Sequence, residues 1–148
     1  LGAPVRFDSL QQAADAMWIM SSSFGPHTAQ QWLELSRHMV RTLPDGGLAM
    51  HYDPAIAQAF KAMTPEVSAA SAMQLWQLYD RIHARTLLLR GAQSDLLSPE
   101  TAQAMVHRGP MAKLVEFEGV GHAPTLMAQD QVQVVSEFLL APEATVAA

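Results

Sequence analysis

The chain has 148 residues, 49% of them hydrophobic and 16% charged, a balance that fits one soluble globular domain or part of a larger one and argues against a disordered or fibrous chain. Nine Lys and Arg against fourteen Asp and Glu give a formal net charge of -5, and the cations are scattered, so nucleic acid and anionic lipid are not expected partners. With no cysteine there is no disulfide framework, no thiolate nucleophile and no cysteine-based zinc site.

No apolar run is long enough to span a bilayer, and the N-terminus lacks the basic, apolar and small-residue order of a signal peptide, so a cytoplasmic protein is expected. Leu1 is not an initiator methionine, as expected of a processed product or a piece of a longer chain.

The first eighty residues read as helices joined by turns. Ser9 to Met20 opens with the capping pair Ser9 and Gln12 and carries Leu10, Ala13, Ala14, Met17 and Trp18 at three- and four-residue steps. A second helix, Thr28 to Leu43, opens with Thr28 and Gln31, aligns Trp32, Leu35, Met39, Val40 and Leu43, and ends at the turn Pro44-Asp45-Gly46-Gly47. Leu48 to Tyr52 is short and compatible with an extended segment. Asp53-Pro54 then caps and starts a third helix through Phe60, because the carboxylate accepts the first free N–H groups and proline presets the helical torsion. A fourth helix, Ala70 to Ile82, aligns Met73, Trp76, Leu78 and Tyr79 less cleanly.

After Ile82 the period changes. Thr86-Leu87-Leu88-Leu89 is a continuous apolar run of strand length, as expected where both faces of a parallel strand are covered. Ser98-Pro99-Glu100 starts a helix with cap, proline and acid in order, and Ala102, Met105 and Val106 form its buried side before Gly109-Pro110. Lys113 to Phe117 is a second strand, and Gln129 to Leu140 a last helix burying Val132, Val135, Phe138 and Leu139. The expected class is α/β, mostly helical: a helical cap over residues 1–82, then a strand-helix-strand-helix unit of parallel strands over residues 83–148.

In an open parallel sheet, ligands bind outside the carboxyl ends of the strands. Two titratable residues fall there: Asp95, in the loop Gly91-Ala92-Gln93-Ser94-Asp95 after the first strand, and His122, in Gly119-Val120-Gly121-His122-Ala123-Pro124 after the second. Adjacent strands lie about 4.8 Å apart, so loops leaving one edge can bring a carboxylate to an imidazole. Such a pair holds the ring in one tautomer while its other nitrogen moves a proton. Two other readings compete. Asp95 can be a turn carboxylate before a helix, although Ser98 already fills the cap, and His122 can be a buried histidine or a metal ligand, although no second ligand stands at suitable spacing. Asp45 and Asp53 are explained by turn and cap chemistry.

The stretch "TLLLRGAQSDLLSPETAQAM", followed by "VEFEGVGHAPTL" and a closing amphipathic helix, resembles the C-terminal end of an α/β-hydrolase. The upstream "FGPHTAQQWLELSRHMVR" and "HYDPAIAQAF" resemble the helical cap of esterase-like members. The resemblance covers nearly the whole chain and implies that Asp95 is the acid and His122 the histidine of a catalytic triad acting on a small ester-like substrate. The family's G-x-S-x-G elbow, or its Asp or Cys variant, is absent from the sequence. Ser94 lacks the elbow's flanking glycines. The resemblance therefore implies a cap and C-terminal part whose nucleophile lies in an N-terminal half outside this chain, with no cofactor or metal.

Trp18, Trp32, Trp76 and Tyr79, with six of the nine methionines before residue 80, are candidates for an adaptable apolar substrate pocket, or simply for the core of the cap. The expected partners are the N-terminal half or a second copy of the chain, and a small apolar ester. The alternative to a hydrolase part is a non-catalytic module that dimerises through an exposed strand edge or swapped cap helices.

Overall fold

Capping chemistry sets the first two helices. In the computed structural model, which describes residues 5–53, 55–56 and 64–142, the Ser9 hydroxyl accepts the Gln12 N–H at 3.1 Å and opens α1 (Leu10–Ser21). Thr28 accepts the Gln31 N–H at 3.1 Å to open α2 (Ala29–Arg37), and the Gln31 side chain accepts the Thr28 N–H in return at 2.9 Å. Each bond satisfies an N–H that a helix start leaves without an intrahelical acceptor.

The described residues within Leu1–Ser22 and His27–Ile82 form one compact unit, and those within Ser23–Pro26 and His83–Ala148 form a second. In the first unit, Ala13, Ala14 and Met17 of α1 and Trp32 and Ser36 of α2 are buried. The small residues let the Trp32 indole N–H reach the Ala14 carbonyl at 2.8 Å, which answers the need of a buried donor for an acceptor.

The stretch expected to continue α2 to Leu43 folds otherwise. The helix stops at Arg37, and β2 (Val40–Thr42) pairs antiparallel with β3 (Leu48–Met50). The Pro44-Asp45-Gly46-Gly47 turn overrides the helical spacing: Leu43 N–H reaches the Gly47 carbonyl at 2.7 Å, and Gly46 N–H reaches the Leu43 carbonyl at 3.0 Å. Val40 and Thr42 are β-branched and suit extended backbone. β1 (Arg6–Phe7) joins the other side of β3, giving the order β1-β3-β2. This unit therefore contains a small sheet that helical periodicity did not anticipate.

The expected helix from Asp53 through Phe60 falls largely on positions outside the described residues. At its start the Asp53 carboxylate accepts the Ala55 N–H at 2.8 Å. The next helix, α3 (Pro65–Tyr79), begins earlier than the expected Ala70 and ends before Ile82. It leaves Met73, Leu75 and Leu78 exposed.

The second unit follows the expected order: β4 (Leu87–Gly91), α4 (Pro99–Val106), β5 (Lys113–Phe117) and α5 (Gln129–Leu140). β4 and β5 are parallel, in register from Leu87 opposite Lys113 to Gly91 opposite Phe117. Ser98 caps α4, with Pro99 in its first turn. Ala102, Ala112, Phe117 and Val120 are buried here. Arg85 closes the end of α5, donating to the Phe138 carbonyl at 2.6 Å and the Ala141 carbonyl at 3.2 Å while its guanidinium lies over the Phe138 ring. Among the described residues, no helix is long and apolar enough to cross a membrane.

In the hairpin, the Gly47 N–H and then the Arg6 guanidinium hold the Asp45 carboxyl below its ordinary range. Ionised Asp45 therefore contributes stability that is fully present above the ordinary carboxylate value and declines as the pH falls through the lowered folded value. Denaturant unfolding followed from pH 6 down to about pH 2.5 is expected to show an acid-side loss that is smaller in Asp45→Asn; an identical pH profile in that variant counts against the assignment.

Candidate active site

β4 and β5 end together, and the loops that leave them are stitched to each other by backbone. Ala92 N–H reaches the Phe117 carbonyl at 3.0 Å and Gln93 N–H the Val120 carbonyl at 3.0 Å, while the Gln93 and Glu118 side chains meet at 3.1 Å. Val120 is buried. A Cβ built on Gly91 would strike the backbone carbonyls of Val120 and Gly121, and one built on Gly121 would lie 2.5 Å from the Ser23 carbonyl oxygen. Gly121 N–H donates to that same Ser23 oxygen at 2.5 Å. Gly121 is thus needed for close backbone approach, whereas Gly119, at a φ of 72°, is needed for its torsion.

These two loops bring Asp95 and His122 together, with His122 Nδ1 3.6 Å from Asp95 Oδ1. That is ion-pair range and longer than a hydrogen bond. The Asp95 side chain is 78% exposed and that of His122 is 40% exposed, so the pair is open to solvent. Exposed pairs contribute about 0–1 kcal/mol, whereas burying a valine side chain contributes roughly 1.5–3 kcal/mol, so the loops are held by Val120 and the backbone bonds rather than by the charges. The Phe24 ring lies against the imidazole, with centroids 5.3 Å apart and the planes tilted by 33°. The Ser94 hydroxyl donates to the His122 carbonyl at 3.1 Å and accepts the Leu97 N–H at 3.2 Å. It links the two loops.

Arg90, at the end of β4, is 4% exposed. Its Nε donates to the Leu97 carbonyl at 2.7 Å, and its Nη1 donates to the Ala92 carbonyl at 3.3 Å and to Glu116 at 2.6 Å. These contacts satisfy a buried cation and fasten both ends of the loop that carries Asp95.

The aromatic candidates fall in two pairs within the first unit. Trp18 and Trp32 meet edge to face at 5.0 Å, with His27 against both. With Gln11, Asp15 and Thr28 they line a cavity of about 370 Å³. Trp76 and Tyr79 pack on each other at 5.7 Å and are not among its lining residues. Burial pushes the Tyr79 hydroxyl up from its ordinary pKa, and Asp80 adds to that shift. Among the described residues, no group of three or more His, Asp or Glu is placed to hold a metal ion.

No family model matches the chain. The chain is 40% identical over 141 residues to the 3-hydroxybutyrate-oligomer hydrolase of Cupriavidus necator, a match that covers 93% of this chain and 48% of that protein. A crystal structure of an α/β hydrolase from Novosphingobium aromaticivorans superposes with a TM-score of 0.72 at 33% identity, over 91% of this chain and 47% of that one. The chain belongs to the α/β-hydrolase fold family. It spans about half the length of the curated relative it matches. The same fold, at 18% identity and a TM-score of 0.64, is shared with an esterase of Mycobacterium tuberculosis, over 92% of this chain and 42% of that one.

In this hydrolase part, the sequence reading missed Arg90 and Phe24. An arginine closing an apolar strand run, just before a loop with a carboxylate, was a usable signal for Arg90, because a cation in a buried strand must find acceptors. Phe24 carried no signal, since its neighbour is distant in sequence. Replacing Gly119 by Ala is expected to cost roughly 1–2 kcal/mol from torsion alone. Gly121→Ala and Gly91→Ala are expected to cost more, about 3 kcal/mol, because backbone must move. Denaturant midpoints measure this order, and equal values for Gly119→Ala and Gly121→Ala would contradict it.

Proposed function

We propose that the chain supplies the acid and the histidine of a hydrolytic centre that cleaves a small ester, with a serine nucleophile contributed by the part of the hydrolase that this chain does not span. The observation that carries the reading is the approach of His122 Nδ1 to Asp95 Oδ1 at 3.6 Å, at the carboxyl ends of adjacent parallel strands. In the reaction, His122 Nε2 takes the serine proton as the oxygen attacks the ester carbonyl. The imidazolium then returns that proton to the departing alkoxide, leaving an acyl-enzyme. Water repeats the cycle and releases the acid. Asp95 stays ionised, keeps the Nδ1–H tautomer and stabilises the imidazolium. The gap seen here is of the kind that closes when substrate is bound, since catalytic hydrogen bonds are often long without it.

The relative's name supports a substrate class: an oligoester of a short hydroxy acid, of the 3-hydroxybutyrate kind. Such a substrate presents a short apolar acyl chain beside each ester. Trp18, Trp32, Trp76 and Tyr79 are proposed to give it an adaptable apolar surface.

Joining the chain to its nucleophile-bearing part and following p-nitrophenyl ester and 3-hydroxybutyrate-oligomer hydrolysis tests both statements. His122→Ala is expected to lower kcat by on the order of 10⁶-fold and Asp95→Asn by on the order of 10⁴-fold. Unchanged rates would sink the triad assignment, and turnover of the nitrophenyl ester without any of the oligomer would sink the substrate class.

A further inference from the structure

We propose that Arg90 is a positioning residue that sets where Asp95 meets His122. The proposal rests on the reading of Asp95 as the partner of His122. The Asp95 side chain is 78% exposed, and its 3.6 Å contact with the imidazole is too long to hold it, so its position is decided by the backbone of its loop. That loop is clasped by one buried side chain. Arg90 reaches the Leu97 carbonyl at the far end with Nε and the Ala92 carbonyl at the near end with Nη1. Nη1 also meets Glu116, the residue directly opposite Arg90 on β5, the strand that leads into the His122 loop.

The guanidinium therefore fastens the acid loop and the strand behind the histidine to one rigid plane. Ser94, inside the clasp, completes the link through the His122 carbonyl at 3.1 Å. A lysine, with its ammonium as a point charge on a flexible stem, cannot reproduce this fork. Removing the cation leaves Glu116 able to take water, because its side chain is 43% exposed, but deprives the Leu97 and Ala92 carbonyls of their donor. The loop, rather than the charge balance, is what suffers.

The test is ¹⁵N NMR of the His122 ring in the full chain, at a pH where the imidazole is neutral, in which the two nitrogen shifts report the tautomer. Asp95→Ala is expected to move His122 from the Nδ1–H form toward the Nε2–H form that an unrestrained imidazole favours. Arg90→Met is expected to move it the same way, and Arg90→Lys and Glu116→Ala part of the way. His107, whose Nδ1 lies 2.7 Å from the Gln103 carbonyl, is the internal reference and stays unchanged. If Asp95→Ala shifts His122 while folded Arg90→Met leaves it as in the parent chain, Arg90 is only structural and the proposal falls. If Arg90→Met does not fold, Arg90→Lys and Glu116→Ala decide, and parent-like His122 shifts in both overturn it. Parent-like shifts in Asp95→Ala itself would instead overturn the Asp95 and His122 pairing, and the proposal with it.

Discussion

Everything at the candidate site depends on two backbones meeting where side chains would not fit. At the ends of β4 and β5, Gly91 lies against the carbonyls of Val120 and Gly121, and Gly121 lies against Ser23. Only because both positions lack a Cβ can the acid loop and the histidine loop share hydrogen bonds from Ala92 to Phe117 and from Gln93 to Val120. The meeting of Asp95 and His122 is a consequence of that approach, not its cause.

The energetic order explains why an exposed pair can still be well placed. Solvated charges hold little, whereas a buried valine and satisfied carbonyls hold a good deal. The loops spend their stable contacts on Val120, on the Ser94 link and on the Arg90 fork, and leave the carboxylate and the imidazole facing water. Under the proposed hydrolytic reading, that division leaves the imidazole free to take up and return a proton.

The first unit follows different rules. Among the described residues, its first two helices are fastened by small residues and the indole bond from Trp32 to Ala14, and its small sheet by a turn. The Trp18, Trp32 and His27 rings touch one another edge to face, so they act as packing and as cavity wall at once.

Local chemistry was legible in the residues themselves. Ser9, Thr28 and Ser98 with Pro99 marked helix starts, the leucine run marked a strand, and Asp95 and His122 stood just after consecutive strands, because each of these signals acts within a few residues of chain. What needed the tertiary structure was every choice between competing local options. Residues 38–43 carry helical spacing, yet the turn after them pairs Val40–Thr42 with Leu48–Met50. Phe24 meets His122, and Arg90 meets Glu116 and Leu97, across separations that no periodicity encodes. By itself the sequence determined which segments turn, coil or extend and which residues carry titratable chemistry. The tertiary structure decided which of them touch, since contacts between distant residues arise only when the backbones have packed and buried polar groups have been forced to find partners.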